Sequence, residues 1–271
     1  MYLKISEDVS LRYVVNKVSN AKGIVVINHG FAEHVGRYDH VTKRLNSAGY
    51  NVYRYDLRGH GRSLGPKGHI DSYESFISDC HAFVTFARND TPEVPMYMLG
   101  HSMGGLVTAM YGIAHPDMLR GQVLSGPAIT SLPKSKGLNG FLLKTVGVLM
   151  PSLKISNPVE DDVCSVPEVV AHYKADEDVL RKATAGFLKE FLIEGPAFVR
   201  AHIHQYMLPC FIAHGGDDTI VPVEVSEYFY DNIASQDKER KVYPGLYHEI
   251  LNENEKDEIL DDMILWMDAR L

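Results

Sequence analysis

Short apolar runs alternate with amphipathic stretches through the first 126 residues of the chain. The runs are continuous and rich in β-branched residues, tyrosine or methionine, which is typical of strands buried on both faces of a sheet. Between them, apolar residues recur at helical spacing, as Phe76, Cys80 and Phe83 do. We predict strands at 24–28, 51–56, 95–99 and 121–126 and helices at 39–48, 71–89 and 103–114.

The same alternation returns near the C-terminus. The elements predicted there are strands at 209–218 and 240–245 and helices at 223–234 and 255–270. Such alternation indicates an α/β fold with a mostly parallel central sheet and helices on both faces. Residues 127–207 instead have a helical pattern with few strand-like runs. We therefore predict one α/β core made of residues 1–126 and 208–271, interrupted by a helical insertion at 127–207.

Composition limits the class of partner. The chain has 271 residues, of which 45% are hydrophobic and 23% are charged, so it can bury a sizeable core. Its formal net charge of −8 argues against nucleic-acid binding and against electrostatic docking on anionic lipid. Apolar contact with lipid is compatible with that charge. We expect no nucleic-acid partner.

The cysteines and the N-terminus bear on the compartment. Cys80, Cys164 and Cys210 lie far apart without metal-ligand spacing, which argues against a disulfide framework or a zinc site. The N-terminus carries charges and lacks the apolar segment of a signal peptide, and no run approaches the roughly 20 apolar residues of a membrane span. We predict a cytoplasmic protein without a metal or cofactor. The sequence leaves peripheral membrane contact and oligomeric state open.

One short motif carries candidate chemistry. Gly100, Ser102 and Gly104 form a Gly-x-Ser-x-Gly pattern between a predicted strand and a predicted helix. This is the setting of a nucleophile elbow, in which small neighbours accommodate a strained turn that presents the serine. The helix N-terminus behind the serine also favours developing negative charge. A purely structural turn serine is the alternative, and the strand–turn–helix context favours the nucleophile.

A serine hydroxyl needs a base to take its proton and a carboxylate to orient that base. In α/β-hydrolases these groups follow the nucleophile in the order acid, then histidine. Asp218 ends the segment HGGDD at 214–218, which lies beyond the apolar run of its strand, and His248 lies in a loop after the next strand. Both come after the carboxyl ends of strands, where α/β proteins build their sites. We predict Ser102, Asp218 and His248 as the catalytic residues.

Five segments together resemble one family. They are HGFAEHVGRY at 29–38, YDLRGHGRS at 55–63, LGHSMGG at 99–105, HGGDDTIVP at 214–222 and GLYHE at 245–249. With them the chain resembles the monoacylglycerol lipases of the α/β-hydrolase superfamily, nearly end to end and least across 127–207. The resemblance implies that the acid ends a Gly-x-x-Asp stretch beginning at Gly215, which gives Asp218. The neighbouring Asp217 would then be a solvated loop carboxylate.

The resemblance also implies an oxyanion hole and a cap. The two oxyanion donors would be the backbone N–H groups of Phe31 and Met103. The insertion would be a cap (lid) that walls an acyl tunnel and touches membranes. An apolar stripe at helical spacing lies in it, formed by Leu138, Phe141, Leu142, Val146, Leu149 and Leu153. Such a stripe is more often core, but its place in the insertion suggests that Phe141, Leu142 and Leu149 contact substrate.

Several polar residues have two interpretations. Glu33, His34 and Arg37 either contact a polar head group of the substrate or form a solvated loop network. The residues interpreted as structural support for the site are His29, Asp56, Arg58, His60 and His101. His202 and His204 alternate, but no third ligand keeps suitable spacing for a metal.

The function implied is serine-dependent hydrolysis of a carboxylic ester through an acyl-enzyme, with a small-molecule lipid ester as partner. The leading substrate is monoacylglycerol, cleaved to fatty acid and glycerol. The alternatives are a lysophospholipase, a general short-chain carboxylesterase, a different chemistry on the same fold, and a catalytically inactive binding module. Fold alone does not decide among them.

Overall fold

The computed structural model describes residues 1–130, 137–157 and 161–271, which contain an eight-stranded sheet and a separate two-stranded one. The strands are β1 (Tyr2–Lys4), β2 (Ser10–Asn16), β3 (Gly23–Asn28), β4 (Tyr50–Tyr55), β5 (Met96–His101), β6 (Gly121–Ser125), β7 (Lys154–Ser156), β8 (Lys182–Thr184), β9 (Cys210–Gly215) and β10 (Lys238–Tyr243). The large sheet has the order β1-β2-β4-β3-β5-β6-β9-β10, and β7 pairs with β8.

Helices cover both faces of the large sheet. The α-helices of the described residues are, in chain order, α1 (Asp39–Ser47), α2 (Glu74–Asp90), α3 (Met103–Ala114), α4 (Gly137–Leu149), α5 (Pro167–Ala175), α6 (Ala185–Lys189), α7 (Gly195–His202), α8 (Glu224–Asn232) and α9 (Lys256–Asp268). Helices α1 and α9 pack on one face, and α2 and α3 pack on the other. A π-helical turn, Glu190–Glu194, joins α6 to α7. No helix in these described ranges is long and apolar enough to cross a membrane.

The predicted α/β architecture is confirmed, with β3, β4, β5, β6, β9 and β10 forming a continuous parallel set. The sequence pattern did not predict β1 and β2, which pair antiparallel at one edge. Their side chains are largely half-buried or exposed, so they lack the continuous apolar run that marks the central strands. The short β7–β8 pair was missed for the same reason.

Alternate side chains of the central strands pack into two hydrophobic cores, one on each face of the sheet. In β3, Ile24 and Val26 face the core under α2 and α3, whereas Val25 and Ile27 face the core under α1 and α9. Each of these side chains is buried, and burial of one such side chain stabilises the fold by about 1.5–3 kcal/mol. The continuous apolar run in the sequence thus reflects helices on both sides of the sheet.

Helix α4 packs on α6 through its small residues. Gly140 and Gly147 are its buried positions, and a Cβ on Gly147 would lie 2.7 Å from the Lys189 Cβ. The large apolar side chains of α4 therefore point away from this contact. The absence of a side chain at Gly147 permits a close helix–helix approach.

Helix α3 approaches β3 most closely at Gly104, and this contact supports a prediction. A Cβ on Gly104 would lie 2.1 Å from the Asn28 carbonyl oxygen, and these backbone atoms cannot move aside. We expect Gly104→Ala to destabilise the protein by more than about 4 kcal/mol, which corresponds to a fall in Tm of about 10 °C or more. Thermal unfolding of the purified variant measures the change.

Gly195→Ala is the matched control. Its added Cβ would lie 3.1 Å from the end of the Leu106 side chain and 3.2 Å from the Glu190 carbonyl oxygen, contacts about 1 Å longer than the one at Gly104, and alanine improves helix propensity by about 1 kcal/mol. We expect its Tm to stay within a few degrees of the parent value. Equal stability of both variants would contradict the close approach at Gly104.

Candidate active site

Ser102 stands on the sharp turn between β5 and α3. Its φ of 53° lies in the left-handed region that residues with side chains rarely adopt. The turn is held from both sides, because Ser102 N–H donates to the Ser125 carbonyl at 2.9 Å and Ala128 N–H donates to the Ser102 carbonyl at 3.1 Å. Gly100 is required here, since a Cβ on it would lie 2.3 Å from Thr108 Oγ1. The geometry is that of a nucleophile elbow.

Asp218 and His248 form a buried pair. Their Oδ2 and Nδ1 atoms are 2.6 Å apart, and the Asp218 side chain is wholly buried. The other carboxylate oxygen accepts the backbone N–H groups of Ile220 and Val221 at 2.9 and 2.8 Å. The alternative acid, Asp217, is exposed. The structure thus brings Asp218 to the histidine and leaves Asp217 in solvent.

Each member of this pair stabilises the charge of the other. Burial opposes ionisation of Asp218, but His248 and His214 outweigh it and lower the pKa of the carboxyl group well below its ordinary value. Burial likewise opposes protonation of His248, and the Asp218 carboxylate overcomes it, so the pKa of His248 is raised above 6.5. The contact between Nδ1 and Asp218 therefore orients the imidazole, and the raised pKa makes His248 a stronger base than a free histidine.

Ser102 and His248 meet at the end of β6. Residues 125–128 bond to the backbone of Ser102, and a Cβ on Gly126 would lie 3.2 Å from His248 Nδ1. No hydrogen bond joins Ser102 to His248 among the residues that the structure describes. If His248 is to take the proton of the hydroxyl, the two side chains must first come within hydrogen-bond distance, as is common before substrate binds.

Two backbone N–H groups are free near the serine. Within the described residues, neither Phe31 N–H nor Met103 N–H has a hydrogen-bond acceptor. Met103 is the first residue of α3 and directly follows Ser102. The loop that contains Phe31 also lies near the serine, as a Cβ added to Gly30 would be 3.3 Å from the Ser102 Cβ. Unpaired N–H groups beside a helix N-terminus suit a developing oxyanion.

The loop after β3 is tied down by buried charges. Glu33 accepts Gly30 N–H and the Tyr38 hydroxyl, both at 2.7 Å, and also pairs with Arg37. Arg37 in turn donates two hydrogen bonds of 2.7 Å to Glu249. The sequence left open whether these residues contact a substrate head group or form a solvated loop network. The side chains of Glu33 and Arg37 are more than nine-tenths buried, so their network is not a solvated one. The sequence analysis did not single out Glu249, although it adjoins His248.

The proposed cap contacts lie on the outside of α4. Phe141, Leu142 and Leu149 are 68%, 50% and 74% exposed. We expected these three residues to contact substrate, but in this structure they face outward, and Gly140 and Gly147 form the inward face of the helix. Large side chains cannot enter an interface where the backbones approach this closely.

The insertion reaches the site through other aromatic residues. The Phe31 ring lies 5.6 Å from Phe187 and 5.5 Å from Phe191, measured between centroids. Phe187 also packs against His60 and Phe76. The sequence analysis missed Phe187 and Phe191, although their four-residue spacing places them on one helical face.

The remaining polar candidates are structural. His29 Nε2 accepts the Leu57 N–H, and the Asp56 carboxylate accepts the N–H groups of Val35 and Arg62. Burial lowers the pKa of His101 to about 4, with the neighbouring His248 acting in the same direction, so this ring is neutral. Nδ1 of His101 faces the carbonyl and hydroxyl oxygens of Ser125.

The described residues contain one cluster that could offer three ligand atoms to a metal, formed by His34, Asp176 and Asp178. Its members already have partners. His34 Nε2 lies 2.8 Å from Asp176, and Arg62 pairs with Asp178. The three residues therefore form a hydrogen-bonded network that also includes Arg62.

Known proteins resemble this chain in sequence and in fold. The profile of a hydrolase family described as "Serine aminopeptidase, S33" matches residues 19–255. A monoacylglycerol lipase of Mycolicibacterium smegmatis is 39% identical over 254 residues, covering 93% of this chain and 90% of that protein. The phospholipase YtpA of Bacillus subtilis is 29% identical, covering 90% of this chain and 94% of that protein.

Solved structures agree. The crystal structure of a monoacylglycerol lipase from Paleococcus ferrophilus superposes with a TM-score of 0.87 at 28% identity, covering 96% of this chain and 99% of that one. Family, relatives and architecture coincide over nearly the whole chain. The chain therefore belongs to this family of serine hydrolases with the α/β-hydrolase fold, together with the monoacylglycerol lipases, and is an enzyme that acts on ester bonds.

Proposed function

We propose that the protein hydrolyses monoacylglycerol to fatty acid and glycerol, with Ser102 as nucleophile, His248 as general base and Asp218 as its orienting carboxylate. The observation that carries the proposal is the buried Asp218–His248 pair at 2.6 Å, beside a serine held at positive φ. A serine with this support has the chemistry of acyl transfer.

The reaction runs in two steps. Ser102 Oγ attacks the ester carbonyl as His248 takes its proton, and the N–H groups of Phe31 and Met103 bind the oxyanion. The protonated His248 then gives its proton to the departing glycerol oxygen, which leaves an acyl-serine. Water, deprotonated by the same histidine, attacks that ester and releases the fatty acid and Ser102.

A lipid substrate follows from the insertion, which we propose to be a cap domain over residues 127–207 on the core of 1–126 and 208–271. Phe187 and Phe191 extend from it onto the Phe31 ring, next to the proposed oxyanion donor. Apolar walls at this position suit an acyl chain better than a sugar or a peptide. The printed names of the Mycolicibacterium and Paleococcus relatives support a monoacylglycerol.

The cap also supports a proposal about location. The outer face of α4 exposes Leu138, Phe141, Leu142 and Leu149, an apolar surface suited to contact with lipid. We propose peripheral membrane contact through this face. The three buried, unpaired cysteines are compatible with a cytoplasmic enzyme.

A lysophospholipid is the second candidate substrate. The Bacillus relative is named a phospholipase, and a lysophospholipid offers the same single acyl ester with a larger head group. A short-chain ester needs only the triad and oxyanion hole. The substrate panel below separates the three.

Removing the nucleophile should abolish hydrolysis. We expect Ser102→Ala to lose activity about 10⁴-fold or more, because acyl-enzyme formation requires the hydroxyl. Fatty acid release is measured with monoacylglycerols, lysophospholipids and short esters. Preferential, Ser102-dependent turnover of monoacylglycerol supports the proposal. Turnover of short esters alone would mean that the enzyme is a general carboxylesterase. A preference for lysophospholipid would mean that lysophospholipid, and not monoacylglycerol, is its substrate.

The pH profile tests the base. Because the pKa of His248 is raised above 6.5, chiefly by the Asp218 carboxylate acting against burial, the neutral base is lost as pH falls through this raised value. We expect kcat/KM to decline on the acid side with a midpoint above 6.5. Asp218→Asn should move the midpoint to lower pH and reduce kcat by up to about 10⁴-fold.

Asp217→Asn is the control for that measurement, since Asp217 is exposed and adjoins Asp218 in the chain. We expect an unchanged profile. If the two variants behaved alike, or if the rate of the parent enzyme were flat across acid pH, the assignment of the base and its acid would be wrong.

Acyl-chain preference tests the inner wall of the cap. Phe191→Ala removes a ring packed on Phe31, so we expect the optimum to shift toward longer or bulkier acyl chains. Leu149→Ala alters a side chain 74% exposed on α4 and should leave the preference unchanged on dispersed substrate. A chain-length series of esters measures both. A shift with Leu149→Ala alone would show that the α4 stripe, rather than the aromatic wall, contacts substrate.

A further inference from the structure

Arg37 lies between two buried carboxylates. It pairs with Glu33 through one nitrogen and grips Glu249 with two hydrogen bonds of 2.7 Å. The side chains of Arg37, Glu33 and Glu249 are only 9%, 4% and 4% exposed. The Tyr173 ring covers the guanidinium at 4.2 Å. A buried cation in this position is costly unless hydrogen bonds and opposite charges compensate it, and here they do.

Each carboxylate belongs to a loop that carries part of the proposed catalytic machinery. Glu33 accepts the N–H of Gly30, the residue directly before Phe31. Glu249 directly follows His248, and its second oxygen also accepts the Asn252 amide at 2.8 Å. These loops lie more than 200 positions apart in sequence, since Arg37 and Glu249 are separated by 212 residues. Arg37 is thus a direct bridge between the Phe31 loop, which carries a proposed oxyanion donor, and the His248 loop.

The pairing leaves Arg37 little capacity for a ligand. Its Nη1 atom serves both carboxylates, its Nη2 atom serves Glu249, and Tyr173 covers one face of the guanidinium. A guanidinium that recognised a substrate head group would need donors directed toward open space. The bridge therefore accounts for the residue better than direct substrate contact does.

We propose that Arg37 is a positioning residue that holds the Phe31 loop and the His248 loop in their catalytic separation through Glu33 and Glu249. This inference rests on the proposed roles of His248 and Phe31. The forked guanidinium supplies what one point charge could not, because two parallel hydrogen bonds fix the orientation of Glu249 as well as its distance. Geometry at this level matters, since a displacement of about 1 Å can cost about 100-fold in rate.

The bridge also sets the charge around the base. The groups that face His248 or the bridge from the surrounding elements are Asp218, His214, His101, Glu33, Glu249, Arg37, Tyr38, His40 and Tyr173. Burial would raise the pKa of Glu33, but Arg37 leads the groups that lower it to about 2. Burial raises the pKa of Glu249, with Arg37 opposing that effect. Glu249 and Glu33 add to Asp218 in raising the pKa of His248.

Two variants separate the effect of the forked Arg37 hydrogen bonds from the effect of charge beside His248. Arg37→Lys keeps the positive charge and loses the fork, so we expect kcat to fall about 10- to 100-fold. The acid midpoint of kcat/KM should stay in place. Glu249→Gln removes one negative charge beside His248, so the imidazole becomes less basic. We expect its acid midpoint to move to lower pH, together with a fall in kcat.

Rates are expressed per reactive serine, counted by titration with a covalent serine reagent, so that loss of folded protein is not scored as loss of catalysis. Arg62→Lys is the matched control, because Arg62 also grips a carboxylate, Asp178, but is 64% exposed on the surface. We expect that variant to keep the parent kcat and acid midpoint. If Arg37→Lys does not fold, Glu249→Gln alone decides through its midpoint and kcat.

The inference is overturned if Arg37→Lys keeps kcat within twofold of the parent per reactive serine, or if the Glu249→Gln midpoint stays or rises. Failure of the underlying proposal looks different, since the parent enzyme itself would then show no Ser102-dependent turnover. A fall in kcat in both variants with the expected behaviour of the two midpoints supports the positioning role.

Discussion

The left-handed backbone at Ser102 is the constraint on which the rest of the site depends. A residue with a side chain held at a φ of 53° costs about 1–3 kcal/mol and persists only where its surroundings over-determine it. Here the end of β6 bonds to the serine backbone, and Gly104 lets α3 lie against β3 without a side chain between them. The two apolar cores hold this sheet and helix together, so packing sustains the strained turn that carries the proposed nucleophile.

Buried charges organise the residues around that turn. Asp218 is compensated by two backbone N–H groups and two histidines, and Arg37 is compensated by Glu33 and Glu249. Taking such groups out of water is expensive, so each is retained with a nearly complete set of partners. The result is a site whose loops are fixed by electrostatics, while the sheet beneath them is fixed by apolar packing.

The proposed cap contributes two surfaces of different character. Its aromatic residues Phe187 and Phe191 pack inward on Phe31, whereas α4 turns its large apolar side chains outward and its glycines inward. The periodicity of α4 correctly indicated a helix with an apolar face. It did not indicate which face would pack, because Gly140 and Gly147 are the buried positions and Gly147 forms a close contact with α6 that a hydrophobic pattern does not register.

The sequence by itself determined the α/β alternation and the strand–turn–helix setting of Ser102, and it predicted Asp218 and His248 as the acid and the base, because these follow from local periodicity and from short motifs. It missed the edge strands β1 and β2, whose half-buried residues lack a strong pattern. Only the tertiary structure decided how closely Asp218 and His248 pair in a buried setting, and that Glu33, Arg37 and Glu249 close one network. Those outcomes depend on contacts between distant segments and on which side chains lose water, and neither is encoded in the local spacing of residues.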